Sequence, residues 1–226
     1  HEISSLSGNA IISQMLDTDY EITNNGRKVA GGRRAIGWSE LSLGGLTTTI
    51  APQYFWQNYP KQIEVMRDKI KINLMPTLQP GQYSGKARNQ DEEVRLFFYL
   101  QNDGYKLRAG MNKRHQFLFA FGESAENIPI EYVDSSLRAS VPREQYALSG
   151  VFGPMGVEAG RITELFAERL DYHLGLFTHT LESQRAYGMM NFGDWWGERQ
   201  INWGNLEYDL AAGLFLSYVH TGNELA

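Results

Sequence analysis

The stretch "KIKINLMP" (69–76) alternates polar and apolar side chains at a period of two, the pattern of a strand with one face buried. Part of "EVRLFFYL" (93–100) and all of "KRHQFLFAFG" (113–122) alternate in the same way, and "NDG" (102–104) supplies a turn between them. From Ser4 to about Gly122 the chain continues as short runs rich in β-branched and aromatic residues, punctuated by Gly, Asn, Asp and Pro. The reading is an antiparallel β-sandwich. No long helical pattern separates these runs, which argues against a parallel α/β sheet.

The period then changes. After a Pro- and Gly-bearing connector, "SVPREQYALSGVFGPMG" (140–156), apolar residues recur at Ile162, Leu165, Phe166, Leu170, Leu174 and Phe177, the spacing of a buried helix face. A second helix is expected over "LEYDLAAGLFLSYVH" (206–220), with Asn205 as its N-cap and Gly222 near its C-terminal cap. The expected organisation is a β-sandwich domain over 1–127, a linker over 128–160 and a helical domain over 161–226. Two helices cannot bury this much apolar surface alone, so the helical part reads as a piece of a larger enzyme or as one completed by a partner surface. A start at His1 rather than Met fits a processed, trimmed or partial product.

The composition excludes several classes. The net charge of −5 is spread along the chain without a basic or acidic tail, so neither nucleic acid nor an anionic membrane is an expected partner. With no cysteine, thiolate metal sites and a Cys nucleophile are absent. His173 and His179 lie six residues apart, which is not the spacing of a helical metal pair, and His115 follows Lys113 and Arg114 at the start of a strand, where a surface or interdomain role is the default. No metal site is expected. Calcium is the one cofactor left open: Asp17 and Asp19 in "DTDYE" supply oxygen ligands but lack the glycine and distal Glu of an EF-hand loop.

The densest chemistry lies in "YGMMNFGDWWGERQINWGNLEYD" (187–209). Trp195, Trp196 and Trp203 offer flat apolar faces suited to stacking on a sugar ring, while Asn191 and Asn205 can read hydroxyls. Arg199 can pair with a carboxylate. Asp194, Glu207, Tyr208 and Asp209 are candidates for proton transfer.

"YGMMNFGDWW" followed by "WGNLEYDLAAGLFLSYVHTGN" closely resembles the signature of the exo-rhamnogalacturonan lyase family, also called YetA-like. "YFWQNYPKQIEV" (54–65) and "KRHQFLFAFG" resemble the family's β-sandwich segments. The resemblance implies a central β-sandwich followed by the first helices of an (α/α) toroid, with the family's N-terminal barrel and most of its toroid helices outside this sequence. It also implies a secreted or periplasmic enzyme that cleaves a uronate-containing polysaccharide by β-elimination, and a larger parent chain around this piece. Elimination at a uronate needs the carboxylate neutralised, the C5 proton removed and the leaving oxygen protonated. By residue type, Arg199 or Asn191 suits the first task and Tyr208 the second or third, positioned by Glu207 or Asp194. A glycoside hydrolase using Asp194 and Glu207 as its carboxylate pair, and a non-catalytic glycan-binding or structural fragment, are the competing readings.

Overall fold

A computed structural model of the chain describes residues 8–122, 127, 130–135, 141–156, 160–191 and 209–223. Among them, eight strands form two antiparallel sheets and four α-helices accompany them. The strands are β1 (Ala10–Gln14), β2 (Tyr20–Asn24), β3 (Arg27–Gly32), β4 (Ser39–Leu43), β5 (Leu46–Pro52), β6 (Lys61–Val65), β7 (Ile70–Asn73) and β8 (Phe117–Phe121); the helices are α1 (Gln90–Phe97), α2 (Arg143–Ser149), α3 (Arg161–Ser183) and α4 (Leu210–Thr221). One sheet runs β3-β2-β1-β6-β7 and the other β4-β5-β8. The chain divides into two compact units: His1–Ser136 together with Tyr187–Asn191, and Leu137–Ala186 together with Phe192–Ala226.

Turn chemistry sets the hairpins of the first unit. Asn25 and Gly26 both have positive φ between β2 and β3, as do Gly44 and Gly45 between β4 and β5, the backbone that a two-residue hairpin loop requires. The register of the larger sheet then places Ile22, Ile12, Ile63 and Ile72 in one row across β2, β1, β6 and β7. Ile63 is fully buried in this row and packs with Phe55 and Ala35. Gly37 crosses over the Phe55 ring at φ 81°, where an added Cβ would overlap the ring.

The expected strand in "EVRLFFYL" is a helix instead. Asn89 accepts from the Glu92 amide at 2.8 Å and three acidic residues fill the first turn of α1, so the cap and the macrodipole both favour helix here. Leu96, Phe97 and Leu100 come onto one face and join a core with Leu16, Tyr59, Leu78 and Tyr83, with the Tyr83 and Phe97 rings stacked at 4.7 Å. Glu92 is buried at the helix start, accepting from the Arg88 amide at 2.6 Å and lying 3.7 Å from the Arg95 guanidinium.

In the second unit, α3 covers the stretch of helical periodicity, but among the described side chains of its expected buried face only Leu174 is buried, Leu170 and Phe177 are half-buried and Leu165 and Phe166 are exposed; Thr180 is buried, and His173 and His179 are exposed. Helix α4 starts later than expected: Asp209 has φ 51°, outside the helical range, and the first helical residue is Leu210. A short polar side chain tolerates that left-handed conformation better than most, so the helix does not run back through Asp209, and Asn205 lies outside the described residues. Its other end is as expected, with Gly222 left-handed and its N–H donating to the Tyr218 carbonyl at 2.7 Å. Asn223 then donates to Asp171 of α3 at 2.8 Å. Among the described residues no helix is long and apolar enough to cross a membrane.

Candidate functional site

Of the residues singled out in the sequence, Asp194, Trp195, Trp196, Arg199, Trp203, Asn205, Glu207 and Tyr208 lie outside the described residues. Asn191 is within them. It ends the Tyr187–Asn191 segment, which belongs to the first unit although it follows α3 in sequence. Two backbone hydrogen bonds hold this segment, from Gly188 N to the Gln57 carbonyl and from Met189 N to the Tyr59 carbonyl, each 2.7 Å. Met189 and Met190 are buried in the core that also contains Tyr59. The Asn191 amide closes a turn on the Gly188 carbonyl at 3.0 Å.

Aromatic and cationic groups surround that anchor. The Trp56 and Tyr187 rings meet edge to face at 4.7 Å, and the Arg34 guanidinium lies 3.8 Å from the Trp56 centroid and 5.4 Å from that of Tyr187. Arg34 Nε also donates to the Asp17 carbonyl at 3.3 Å, which holds the guanidinium over the rings. All three side chains are half-buried.

Five residues beyond Trp56, Lys61 opens β6 with 1% of its surface exposed. Among the described residues its amine has neither a hydrogen bond nor an ion pair within 4 Å. Burial lowers its pKa from 10.5 to about 7, Lys113 lowers it further, and Asp134 opposes the shift from beyond ion-pair distance. His115 is pushed down to about 4 by its own burial and by the Lys61 and Lys113 charges. Desolvation lowers Lys113 as well. Burial raises Asp134, against the pull of the Tyr54 amide, which donates to its Oδ1 at 2.6 Å, and of Lys61. The β5–β8 pairing, with Pro52 opposite Phe117 and Gln53 N bonded to the Gln116 carbonyl, delivers Lys113 and His115 to this place.

Residues 54–61 therefore carry two functions at once. Gln57 and Tyr59 tether the Tyr187–Asn191 segment, and Lys61, a buried residue, feels the charges of Lys113 and Asp134. The two upstream stretches singled out in the sequence, 54–65 and 113–122, meet here. Lys61 escaped sequence reading because a lysine at a strand start is ordinarily a solvated end, and nothing local reveals that its partner strands bury it. His115 was visible and read as a surface or interdomain residue; it is half-buried.

Other polar groupings carry hydrogen bonds to nearby groups. A polar cavity of about 220 Å³ beside Tyr83 and Phe97 includes Glu93 and Asp103 in its lining, and these carboxylates accept from the Gly85 and Gly81 amides at 2.7 and 2.8 Å. Asp17 is buried and Asp19 accepts from Thr18 Oγ1; among the described residues no three His, Asp or Glu side chains are grouped to hold a metal ion. Comparison with known proteins finds no family model that matches the chain and no curated protein that matches it.

Proposed function

We propose that this chain is part of a carbohydrate-active enzyme that cleaves uronate-containing glycans of the rhamnogalacturonan type by β-elimination, acting from a chain end. In this reading the two antiparallel sheets are a sandwich, the helices are the first of an (α/α) toroid, and the protein works outside the cytoplasm as part of a larger chain.

The observation that carries the reading is the double use of residues 54–61. They hold the Tyr187–Asn191 segment, which leads into the run of tryptophans and acids in sequence, by two backbone hydrogen bonds, and the buried Lys61 follows two residues after Tyr59. Elimination next to a uronate carboxylate needs positive charge to stabilise the negative charge that develops when C5 loses its proton. It also needs a base that is unprotonated at working pH. Arg199 and Asn191 remain the proposed carboxylate partners, Tyr208 the proton-transfer group, and Glu207 and Asp194 its positioning acids. Trp195, Trp196 and Trp203, with Asn205, are the proposed sugar contacts.

Product masses from uronate oligomers digested in heavy-oxygen water test this. Elimination leaves one product short of a water and incorporates no heavy oxygen. Hydrolysis places heavy oxygen in a product and would transfer the reading to an Asp194 and Glu207 pair. Binding without any cleavage would leave a glycan-binding module.

A further inference from the structure

We infer that the polar cavity lined by α1, the turn that follows it and the loop 81–85 is a subsite for one uncharged sugar ring, and that its two carboxylates exclude a sugar carrying a carboxylate of its own. The inference stands on this cavity and does not depend on the proposed elimination chemistry.

Three neighbouring segments build the cavity. Helix α1 supplies Glu93 and Phe97, the turn after it Gln101 and Asp103, and the loop Tyr83 and Ser84. The two acids hold the loop from both sides: Glu93 Oε2 accepts from the Gly85 amide at 2.7 Å and Asp103 Oδ1 from the Gly81 amide at 2.8 Å. Gly81 and Gly85 have φ of 70° and 66°, a backbone that glycine adopts without steric cost. Each bond occupies one oxygen of its carboxylate, and among the described residues the other oxygen has no hydrogen bond, so it is left to accept from a ligand. The apolar floor is equally fixed. Tyr83 and Phe97 are buried with their rings stacked at 4.7 Å, and the Tyr83 hydroxyl donates to the Met15 carbonyl at 3.2 Å. Ser84, Asn102 and Asp103 are exposed and form the rim.

Size and chemistry select the ligand. At about 220 Å³ the cavity is smaller than the roughly 300–1,000 Å³ of sites for drug-sized molecules, and suits a single ring. Carboxylates that accept, beside the Gln101 and Asn102 amides that both donate and accept, match adjacent hydroxyls, each of which does both. A divalent cation does not fit, since among the described residues no three His, Asp or Glu side chains are grouped to hold one. No described lining residue is cationic. Lys106 donates to Gln101 Oε1 at 3.5 Å, while its amine lies 5.0 Å from the centroid of the Phe98 ring. A sugar carboxylate placed in the cavity would therefore meet Glu93 and Asp103 as like charges, and that repulsion sets the selectivity.

Saturation-transfer NMR titrations with galactose, rhamnose, galacturonate and the methyl ester of galacturonate at pH 7 read this directly. At least one of the two neutral sugars is expected to bind, galacturonate to bind at least about tenfold more weakly, and the uncharged ester to recover the loss. Ser84→Trp, at the exposed rim, should fill the cavity and abolish neutral-sugar binding while the unfolding transition stays intact. Glu93→Gln keeps an acceptor for the Gly85 amide and removes one charge, so it should narrow the gap between galacturonate and the neutral sugars. No binding of either neutral sugar, binding that survives Ser84→Trp, or galacturonate bound by the wild type as tightly as the neutral sugars overturns the subsite. Neutral-sugar binding lost in Ser84→Trp, in a protein that yields no elimination product, would keep the subsite and reject the lyase reading. Elimination products without any neutral-sugar binding would do the reverse.

Discussion

Replacing Lys61 by methionine should stabilise the protein, and should do so by an amount that depends on pH. Methionine keeps a flexible stem of similar length in the same buried slot and removes the amine. The lysine pKa falls from 10.5 to about 7 on folding; at about 1.4 kcal/mol per pKa unit this sets a ceiling of about 5 kcal/mol on the cost of keeping the proton in the folded state. Relaxation and water around the amine reduce the recoverable part, and apolar replacement of buried charges typically gains about 1–4 kcal/mol. The sign follows from proton counting. Below pH 7 folded and unfolded chains are both protonated, and the penalty is full. Between pH 7 and 10.5 the unfolded chain binds a proton that the folded one lacks, so wild-type stability rises with pH. Above 10.5 both are neutral and the penalty is gone. Denaturant unfolding followed by tryptophan fluorescence should therefore show Lys61→Met more stable by about 1–3 kcal/mol at pH 6, with the gap closing toward pH 10. A variant less stable than wild type at pH 6, or a gap equal at pH 6 and pH 10, would refute the unpaired buried amine.

Three further outcomes are expected. Gly37→Ala should lose more than about 3 kcal/mol in the same unfolding assay, because its Cβ meets the fully buried Phe55 ring and its φ is 81°; Gly44→Ala, at φ 60° in open space, should lose only about 1 kcal/mol. Asn89→Ala should cost about 1 kcal/mol by removing the α1 cap, with Asn89→Ser restoring most of it. Tyr208→Phe should lower kcat on a rhamnogalacturonan oligomer by about 10²–10⁴ with little change in KM; an unchanged kcat would pass proton transfer to Glu207 and Asp194.

The sequence made the class of each half legible because class is written in local periodicity. Strands β7 and β8 and helix α3 each announce themselves by alternation or by three-and-four spacing. The misreading of 93–100 shows the limit of that signal. "EVRLFFYL" contains enough alternation for a strand, while the deciding feature lies just before it in "NQDEE", whose Asn89 and Glu92 have the spacing of a helix cap. The start of α4 was misjudged for a related reason, since Asn205 is a good cap by type and the left-handed Asp209 cannot be foreseen from its identity. The Lys61 centre depends on pairings distant in sequence: Lys61 against Lys113 and Asp134 requires β5, β6 and β8 to be assembled first. So does the return of Tyr187–Asn191 to the first unit, which no local pattern encodes.

The most direct test of the functional reading is a continuous ultraviolet trace of the protein mixed with rhamnogalacturonan oligomers. β-Elimination creates a conjugated double bond in the new terminal uronate, and hydrolysis cannot. The expected result is a steady rise in the unsaturated-uronate band that matches the release of new chain ends one for one. New chain ends without that band, or no cleavage of any uronate oligomer, would contradict the reading.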